Sequence, residues 1–273
     1  MTMRSYTTAQ EFMLHPTGVN ITTIVPNGTA GQDTSELTLL IQMASSAIDQ
    51  WCFQPLYAHE RTETAHVRPK TIGLEVRLSH FPVQQVVSAQ WRQTAMDSWH
   101  TINTQAVDLF GELGSGHKYI AYDFPYGASY GWGQPPLTVQ TTYVAGYANM
   151  QLTQPVSAGA TSITVDATLG VNPNDVLKLY DGTQYEEATV ASVNGNVISL
   201  VSPLQYAHNA GVRVSELPDA VTTACILYTA YLIKERRAGS SIMMNGRVQP
   251  MNVVVSEDMQ LVRELLWPFR RVI

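Results

Sequence analysis

In the stretch DTSELTLLIQMASSAIDQWC, apolar residues recur at offsets of three, four and seven. Leu37, Leu40, Ile41, Ala44, Ala47, Ile48 and Trp51 share one helical face, with Thr38, Gln42, Ser45 and Asp49 opposite. The spacing predicts a helix over 35–51, with Asp33 or Thr34 placed to cap its start. The period then changes to two. ERTETAHV, LEVRLSHFPV, VVSAQWRQ, WHTI, KYIAYD and LTVQTTYVAGY read as strands between 55 and 147. Leu74, Val76 and Leu78 are expected on an inner face. Leu137, Val139, Thr141 and Tyr143 share one side of the last strand, which ends at Gly146 and Tyr147.

From 150 to 216 the segments shorten to TSITVDAT, DVLKLYDGTQYEEATVASV and NVISLVSPL. DGT and VNGN punctuate them as hairpin turns, and Asn194-Gly195 is the strongest such signal in the chain. A second helix follows in LPDAVTTACILYTAYLIKERRAG. Pro218 stands in its first turn and Asp219 near the positive end of its dipole, with Lys234, Arg236 and Arg237 in the last turn and Gly239 at the end. Between Ala224 and Ile233 only Tyr228, Thr229 and Tyr231 carry polar atoms, so this helix needs cover on more than one side. A neighbouring subunit is one source of that cover, which makes Tyr228, Tyr231 and Leu232 candidate interface residues. A third helix begins near Ser256, with Met259, Val262, Leu265 and Leu266 on its face and Pro268 at its stop.

If 150–216 is lifted out, VQTTYVAGY runs straight into LPDAVTTACILYTAYLIKERR. The β-rich stretch therefore reads as an insertion between a strand and the helix that follows it. The expected organisation is an N-terminal arm (1–32), a core made of 33–149 and 217–273, and an inserted module (150–216). The expected class is α+β: a small helical bundle with a β region, plus an inserted all-β module. The arm is polar and holds Pro16, Gly18, Pro26, Gly28 and Gly31, so it is expected to be extended and ordered only where a partner holds it.

Composition sharpens this picture in a few places. Hydrophobic residues at 45% suffice for a core, while 14% charged residues leave the surface to Thr, Gln, Asn and Ser, which suits a surface partly covered by other subunits. A net charge of −6 argues against binding that rests on neutralising phosphates, yet suits a wall past which DNA slides. Cys52 and Cys225 lie in apolar helical patterns as buried free thiols, pointing to a reducing compartment. The N-terminus carries no apolar run of signal-peptide length, and no stretch has the ~18 apolar residues of a membrane span, so a soluble protein is expected. The glycosylation matches at Asn20 and Asn27 are then chance.

Reactive chemistry is hard to find. The seven histidines show no metal-ligand spacing, and His59 and His66 on one strand are expected to point to opposite faces. No GxSxG, Walker loop or GxGxxG occurs. GELGSGHK reads as a glycine loop between strands because no helix pattern follows it, and Asp181, Glu186 and Glu187 read as a solvated hairpin face. No catalytic, cofactor or metal residue is assigned. Tyr122, Phe124, Tyr126, Tyr130 and Trp132 cluster in a Gly/Pro/aromatic loop; a stacking platform is one reading, and a subunit interface carried by Tyr126, Tyr130 and Trp132 the favoured one.

The order of motifs resembles the head–tail connector (adaptor, or head-completion) proteins of tailed bacteriophages. It is carried by LTLLIQMASSAIDQWCFQPL, LSHFPVQQVVSAQW, VQTTYVAGY, LPDAVTTACILYTAYLIKERRAG and LLWPFRRVI, over about residues 35–147 and 217–273. The resemblance implies a virion protein made in the host cytoplasm and assembled as a ring of twelve copies beneath the portal. Such a ring extends the DNA channel and offers a surface to the tail or tail-terminator proteins. By position, docking to the portal protein would fall on Trp267, Phe269, Arg270, Arg271, Val272 and Ile273. The module at 150–216 and the long arm depart from the family pattern. A glycan- or surface-binding accessory protein acting through the module is the alternative.

Overall fold

A computed structural model of the chain describes residues 5–25, 28–69, 73–110, 117–121, 136–182, 184–241 and 257–271. The fold is mixed α+β, with 28% of residues in helices and 37% in strands, so strands predominate. Four α-helices occur among the described residues: α1 (Ala9–Leu14), α2 (Ala30–Cys52), α3 (Asp219–Ser241) and α4 (Glu257–Leu266). The strands are β1 (His59–Val67), β2 (Leu74–Leu78), β3 (Val83–Arg92), β4 (His100–Ile102), β5 (Val107–Phe110), β6 (His117–Ala121), β7 (Leu137–Ala145), β8 (Asn149–Gln151), β9 (Ser162–Thr164), β10 (Val176–Tyr180), β11 (Tyr185–Asn194), β12 (Val197–Leu200) and β13 (Arg213–Ser215).

The chain forms two compact units, one of residues 1–52 with 148–268 and the other of residues 53–147 with 269–273. This grouping differs from the expected division, which joined the helices to the first strands. The helices instead share a unit with β8–β13, and within it Lys178 bonds Asp219 at 2.7 Å and Arg213 bonds Thr222 at 3.2 Å.

In the second unit, β1, β7, β3 and β4 form an antiparallel sheet in that order, and β2, β6 and β5 form a three-stranded one. The period-two pattern is realised in part: LEVRLSHFPV is a strand only over Leu74–Leu78 and bends over 79–82, and β5 carried no such pattern. Leu74, Val76 and Leu78 are buried, and Leu137, Val139, Thr141 and Tyr143 all face the same core, which Trp91 and Tyr119 help to fill. Tyr119 is buried at the centre and bonds the Thr141 hydroxyl at 2.7 Å. His59 and His66 do lie on opposite sides of β1, half-buried and exposed respectively.

The first unit contains a six-stranded sheet in the order β8-β13-β10-β11-β12-β9. Its outer strands meet. Leu152 bridges Val165, the Thr153 N–H donates to the Thr164 carbonyl at 3.0 Å, and the Asp166 N–H to the Gln151 carbonyl at 3.0 Å. The sheet therefore closes on itself as a small barrel, which removes the free edges that attract stray strands. Met150, Leu152, Ile163, Val165, Leu177 and Leu179 are among the side chains that fill its interior. The β11–β12 hairpin forms where the sequence signals it, one residue later than Asn194-Gly195. Asn194 pairs with Val197, and Gly195, with φ 57°, begins the turn. The ends of the barrel segment are adjacent: the Glu216 N–H donates to the Ala148 carbonyl at 2.9 Å and the Ala148 N–H to the Glu216 carboxyl at 3.3 Å.

Three sequence expectations are corrected in this unit. First, α2 starts earlier than expected. Thr29 caps it, exchanging bonds with Gln32, while Asp33 is buried and accepts the Val25 N–H at 2.9 Å. Second, Ser45 and Asp49 do not face solvent as a polar stripe: Ser45 Oγ accepts the Tyr6 N–H at 3.1 Å, and Asp49 accepts the Tyr6 hydroxyl. Third, the arm is not an extended tail awaiting a partner. Thr8 and Glu11 form a capping box for α1, Tyr6 and Phe12 are buried, and the Asn149 amide donates to the Ser5 carbonyl at 3.0 Å. Two large apolar groups and one buried acid outweigh the arm's Pro/Gly composition.

Helix α3 packs against both α2 and α4. Val221, Ala224, Cys225, Ile226, Ala230 and Ile233 are buried on it, while Thr222, Thr223, Leu227, Tyr228, Tyr231 and Leu232 are half-buried. Cys225 lies 3.5 Å from Ser45 Oγ, and burial pushes its thiol up to about 11, which keeps it protonated and inert. In α4, Val262 and Leu266 are buried and Met259 and Leu265 half-buried, as the spacing predicts.

Candidate functional site

The C-terminal segment is the first candidate, and its described part from Phe269 to Arg271 belongs to the second unit. Phe269 is 5% exposed. Its ring meets the Tyr147 ring edge-on at 6.3 Å, and its carbonyl accepts the Gln54 side-chain N–H at 3.1 Å. Gln54 is itself buried and accepts the Phe81 N–H at 2.9 Å, so one amide side chain joins the segment to the turn before β3. The Arg270 guanidinium lies 5.1 Å over the ring of Phe53. Phe53 is 42% exposed and holds φ 57°, a left-handed conformation that costs a non-glycine residue about 1 kcal/mol or more. Glycine is needed at 146 in the same unit: at φ 98°, an added Cβ would run into the Tyr57 carbonyl oxygen.

Arg271 faces a cluster of titratable groups at the start of β1. The His59 Nδ1–H donates to the Tyr57 carbonyl at 2.9 Å, which leaves Nε2 to accept from His80 Nδ1 at 2.8 Å. His80 is 5% exposed, and its pKa is pushed down to about 4, by burial first and then by Arg61, His59 and Arg271. His59 is lowered in the same direction, chiefly by burial. Glu63 accepts from the Ser79 N–H at 2.9 Å, the Ser79 hydroxyl at 2.5 Å, the Tyr143 hydroxyl at 3.1 Å and Arg61 Nε at 3.3 Å. Burial opposes its ionisation, but the Ser79, Arg61 and Tyr143 bonds win, and its pKa falls. These residues do not form a nucleophile and base. The Ser79 hydroxyl is committed to Glu63, and the two imidazoles are committed to each other.

The remaining candidates divide three ways. Trp267 lies in the first unit and is 66% exposed. Tyr228 and Tyr231 stack on one face of α3, 6.1 Å apart and 12° from parallel, half-buried like Leu232. Tyr126, Tyr130, Trp132, Val272 and Ile273 lie outside the described residues, as do residues 111–116 of the glycine loop. Among the described residues no group of three or more His, Cys, Asp or Glu could hold a metal ion, and no helix is long and apolar enough to cross a membrane.

Two clusters were invisible to sequence reasoning. His59 and His80 meet 21 positions apart, and His80 falls in the turn after β2 where the sequence reading continues the strand. Glu186 overturns the expected solvated hairpin face. It is 8% exposed and accepts the N–H groups of Gln205 (2.7 Å) and Tyr206 (3.2 Å) and Nε2 of His208 (2.7 Å). A buried carboxylate with three donors is anchoring a loop. Its neighbours Asp181 and Glu187 behave differently: Asp181 bonds Gln10 and Asn209 at the surface, and Glu187 accepts the Tyr185 hydroxyl.

Comparison of the chain with protein-family models and with curated proteins found no match.

Proposed function

We propose that this chain is a structural subunit of a phage head–tail connector, forming a ring between portal and tail. The observation that carries the reading is the Ala148–Glu216 junction. Because the barrel's two ends are bonded to each other, β7 leads into α3 as though the barrel were absent. The remaining order is helix, sheet, helix, helix and C-terminal segment, which is the order the resemblance rests on. In this reading the fold is a small helical bundle (α2, α3, α4) with a β region and an inserted all-β barrel.

The chain's physical character suits the role. Its net charge of −6 favours a channel wall that does not grip DNA. Tyr228, Tyr231 and Leu232 are half-buried and can be covered further by a neighbouring copy. For portal docking the exposed Trp267 and the half-buried Arg270 and Arg271 carry the burden, since Phe269 is spent within the chain. Twelve chains added per portal ring in native mass spectrometry would support the reading. A chain that stays monomeric in the presence of portal rings would refute it.

A glycan-binding accessory role has one observation in its favour: Tyr185 and Tyr206 of the barrel segment are 51% and 40% exposed. Glycan-array binding by the full chain, lost in a Tyr185→Ala/Tyr206→Ala variant, would favour it over the connector.

A further inference from the structure

The β3–β4 hairpin ends in a built loop that holds one apolar side chain out to solvent. Met96 at its tip is 97% exposed, more than any other large apolar residue among those described. The Thr94 N–H donates to Asp97 Oδ2 at 2.7 Å, the Met96 N–H to the Thr94 hydroxyl oxygen at 3.3 Å, and the Asp97 N–H to the Thr94 carbonyl at 3.3 Å. At the base of the loop the Arg92 guanidinium donates to the Ala95 carbonyl at 3.2 Å and lies 4.4 Å over the Trp99 ring. A loop tied in this way has little conformational freedom left to lose when a surface closes over its tip. Asp97, beside Met96, is exposed, and its bonds from Thr94 hold its carboxyl below the usual carboxylate range. The tip therefore offers one apolar side chain and one negative charge side by side.

A surface of matching shape and charge lies in the arm. After α1 the chain turns sharply, with the Thr17 N–H donating to the His15 carbonyl at 2.7 Å and Gly18 at φ 66°, and it borders a cavity of about 130 Å³. Phe12, Met13, Val19 and Ile21 supply apolar walls, and His15 is the one titratable residue in the described lining. A cavity of roughly 150 Å³ accommodates a benzene ring, so this one has room for a single apolar side chain. An unbranched, flexible thioether suits a cavity of irregular shape. An imidazole at its rim can donate to a carboxylate or carry the opposite charge. Met96 and Asp97 present that pair of groups on adjacent residues.

We propose that Met96 of one copy seats in the arm cavity of a second copy, with Asp97 set against His15. Tip and cavity are separate patches of the same chain, so the contact is heterologous: each copy that inserts a tip still offers a cavity to the next. Such a series closes into a ring where the rotation between copies permits. The inference deepens the connector reading by naming a contact between copies, and it rests on that reading only for the place of the ring in a virion. One seated side chain makes a small interface, so association is expected at high protein concentration rather than in dilute solution.

The test is sedimentation velocity of the full chain at rising concentration, with two variants. Met96→Asp removes the tip and keeps the cavity; Val19→Trp fills the cavity and keeps the tip. Wild type should form species larger than a dimer, while each variant alone should associate about tenfold more weakly or not at all. An equimolar mixture of the two variants holds one working tip and one working cavity per pair, so it should form a 1:1 dimer and nothing larger. Recovery in the mixture also shows that both variants are folded. His15→Asp, at an exposed position, sets a second carboxylate against Asp97 and serves as the cavity variant if Val19→Trp does not fold. Three results would overturn the proposal: a wild type that stays monomeric at every concentration, association unchanged in the variants, or a mixture as monomeric as its components. No portal ring enters this experiment, so its failure leaves the connector reading to be decided by addition to portal rings. A chain that associates in this way but ignores portal rings would refute that reading alone.

Discussion

Arg213 and Glu11 lie 202 positions apart and meet as a buried ion pair, Arg213 Nε donating to both carboxylate oxygens at 3.0 and 3.2 Å. Glu11 also accepts from the Thr7 hydroxyl and the Thr8 N–H, so one carboxylate caps α1 and ties it to β13. Their side chains are 12% and 5% exposed. Arg213→Met should therefore leave a buried, uncompensated carboxylate and destabilise the first unit by about 3 kcal/mol. Urea unfolding checks the magnitude, and faster proteolysis within residues 5–25 checks the location. A change inside ±0.5 kcal/mol would mean that the Arg213–Glu11 pair contributes nothing measurable to the fold.

Glu216 gives the barrel junction a pH dependence of opposite sign to that of the histidines. Burial, and then the nearby Asp175 carboxylate, raise its pKa to about 7. A raised carboxyl favours folding while protonated. That contribution is full below the ordinary value of 4.5 and is lost as pH rises through about 7. Glu216→Gln should flatten the decline in stability between pH 5 and pH 8, read by thermal unfolding across that range. An identical decline in the variant would place the proton elsewhere.

Glu186→Ala removes the common acceptor of three donors inside the barrel segment. Unpaired buried donors cost about 1–3 kcal/mol, and here two are backbone groups. Faster hydrogen exchange at Gln205 and Tyr206, together with a lower unfolding free energy, is the expected pair of results. Retained protection at both amides would show that water replaces the carboxylate without loss.

Gly146→Ala sets a Cβ against the Tyr57 carbonyl and also forces a side chain onto φ 98°. Both effects act at the parallel bridge between Tyr57 and Tyr147, where the Ala58 N–H and the Tyr147 carbonyl meet at 2.7 Å. A loss of roughly 3 kcal/mol in the second unit is expected, with Phe269 losing its ring partner as a secondary effect. Wild-type stability in this variant would rule out the close approach.

Local periodicity made the elements legible and said little about what covers them. The apolar face of α2 and the inner face of β7 could be read because each is written within one element at a fixed period. Ser45 and Asp49 looked like a solvent face because their partner, Tyr6, lies 39 and 43 positions away. Glu186 misled for the same reason: its donors come from a loop 19 to 22 positions downstream. The candidate site was legible only as a list of terminal residues. That Phe269 faces inward and Trp267 outward depends on Gln54 and Tyr147, which no spacing rule links to the C-terminus.

The adjacency of Ala148 and Glu216 bears on the order of folding. An unfolded connection between β7 and α3 would impose the closure entropy of a long flexible loop on every contact of α3 with α2. Once the barrel closes, that loop becomes a tether only a hydrogen bond wide. Barrel formation should therefore precede and accelerate docking of α3, and slowing the barrel should slow the helices although no side chain between them has changed.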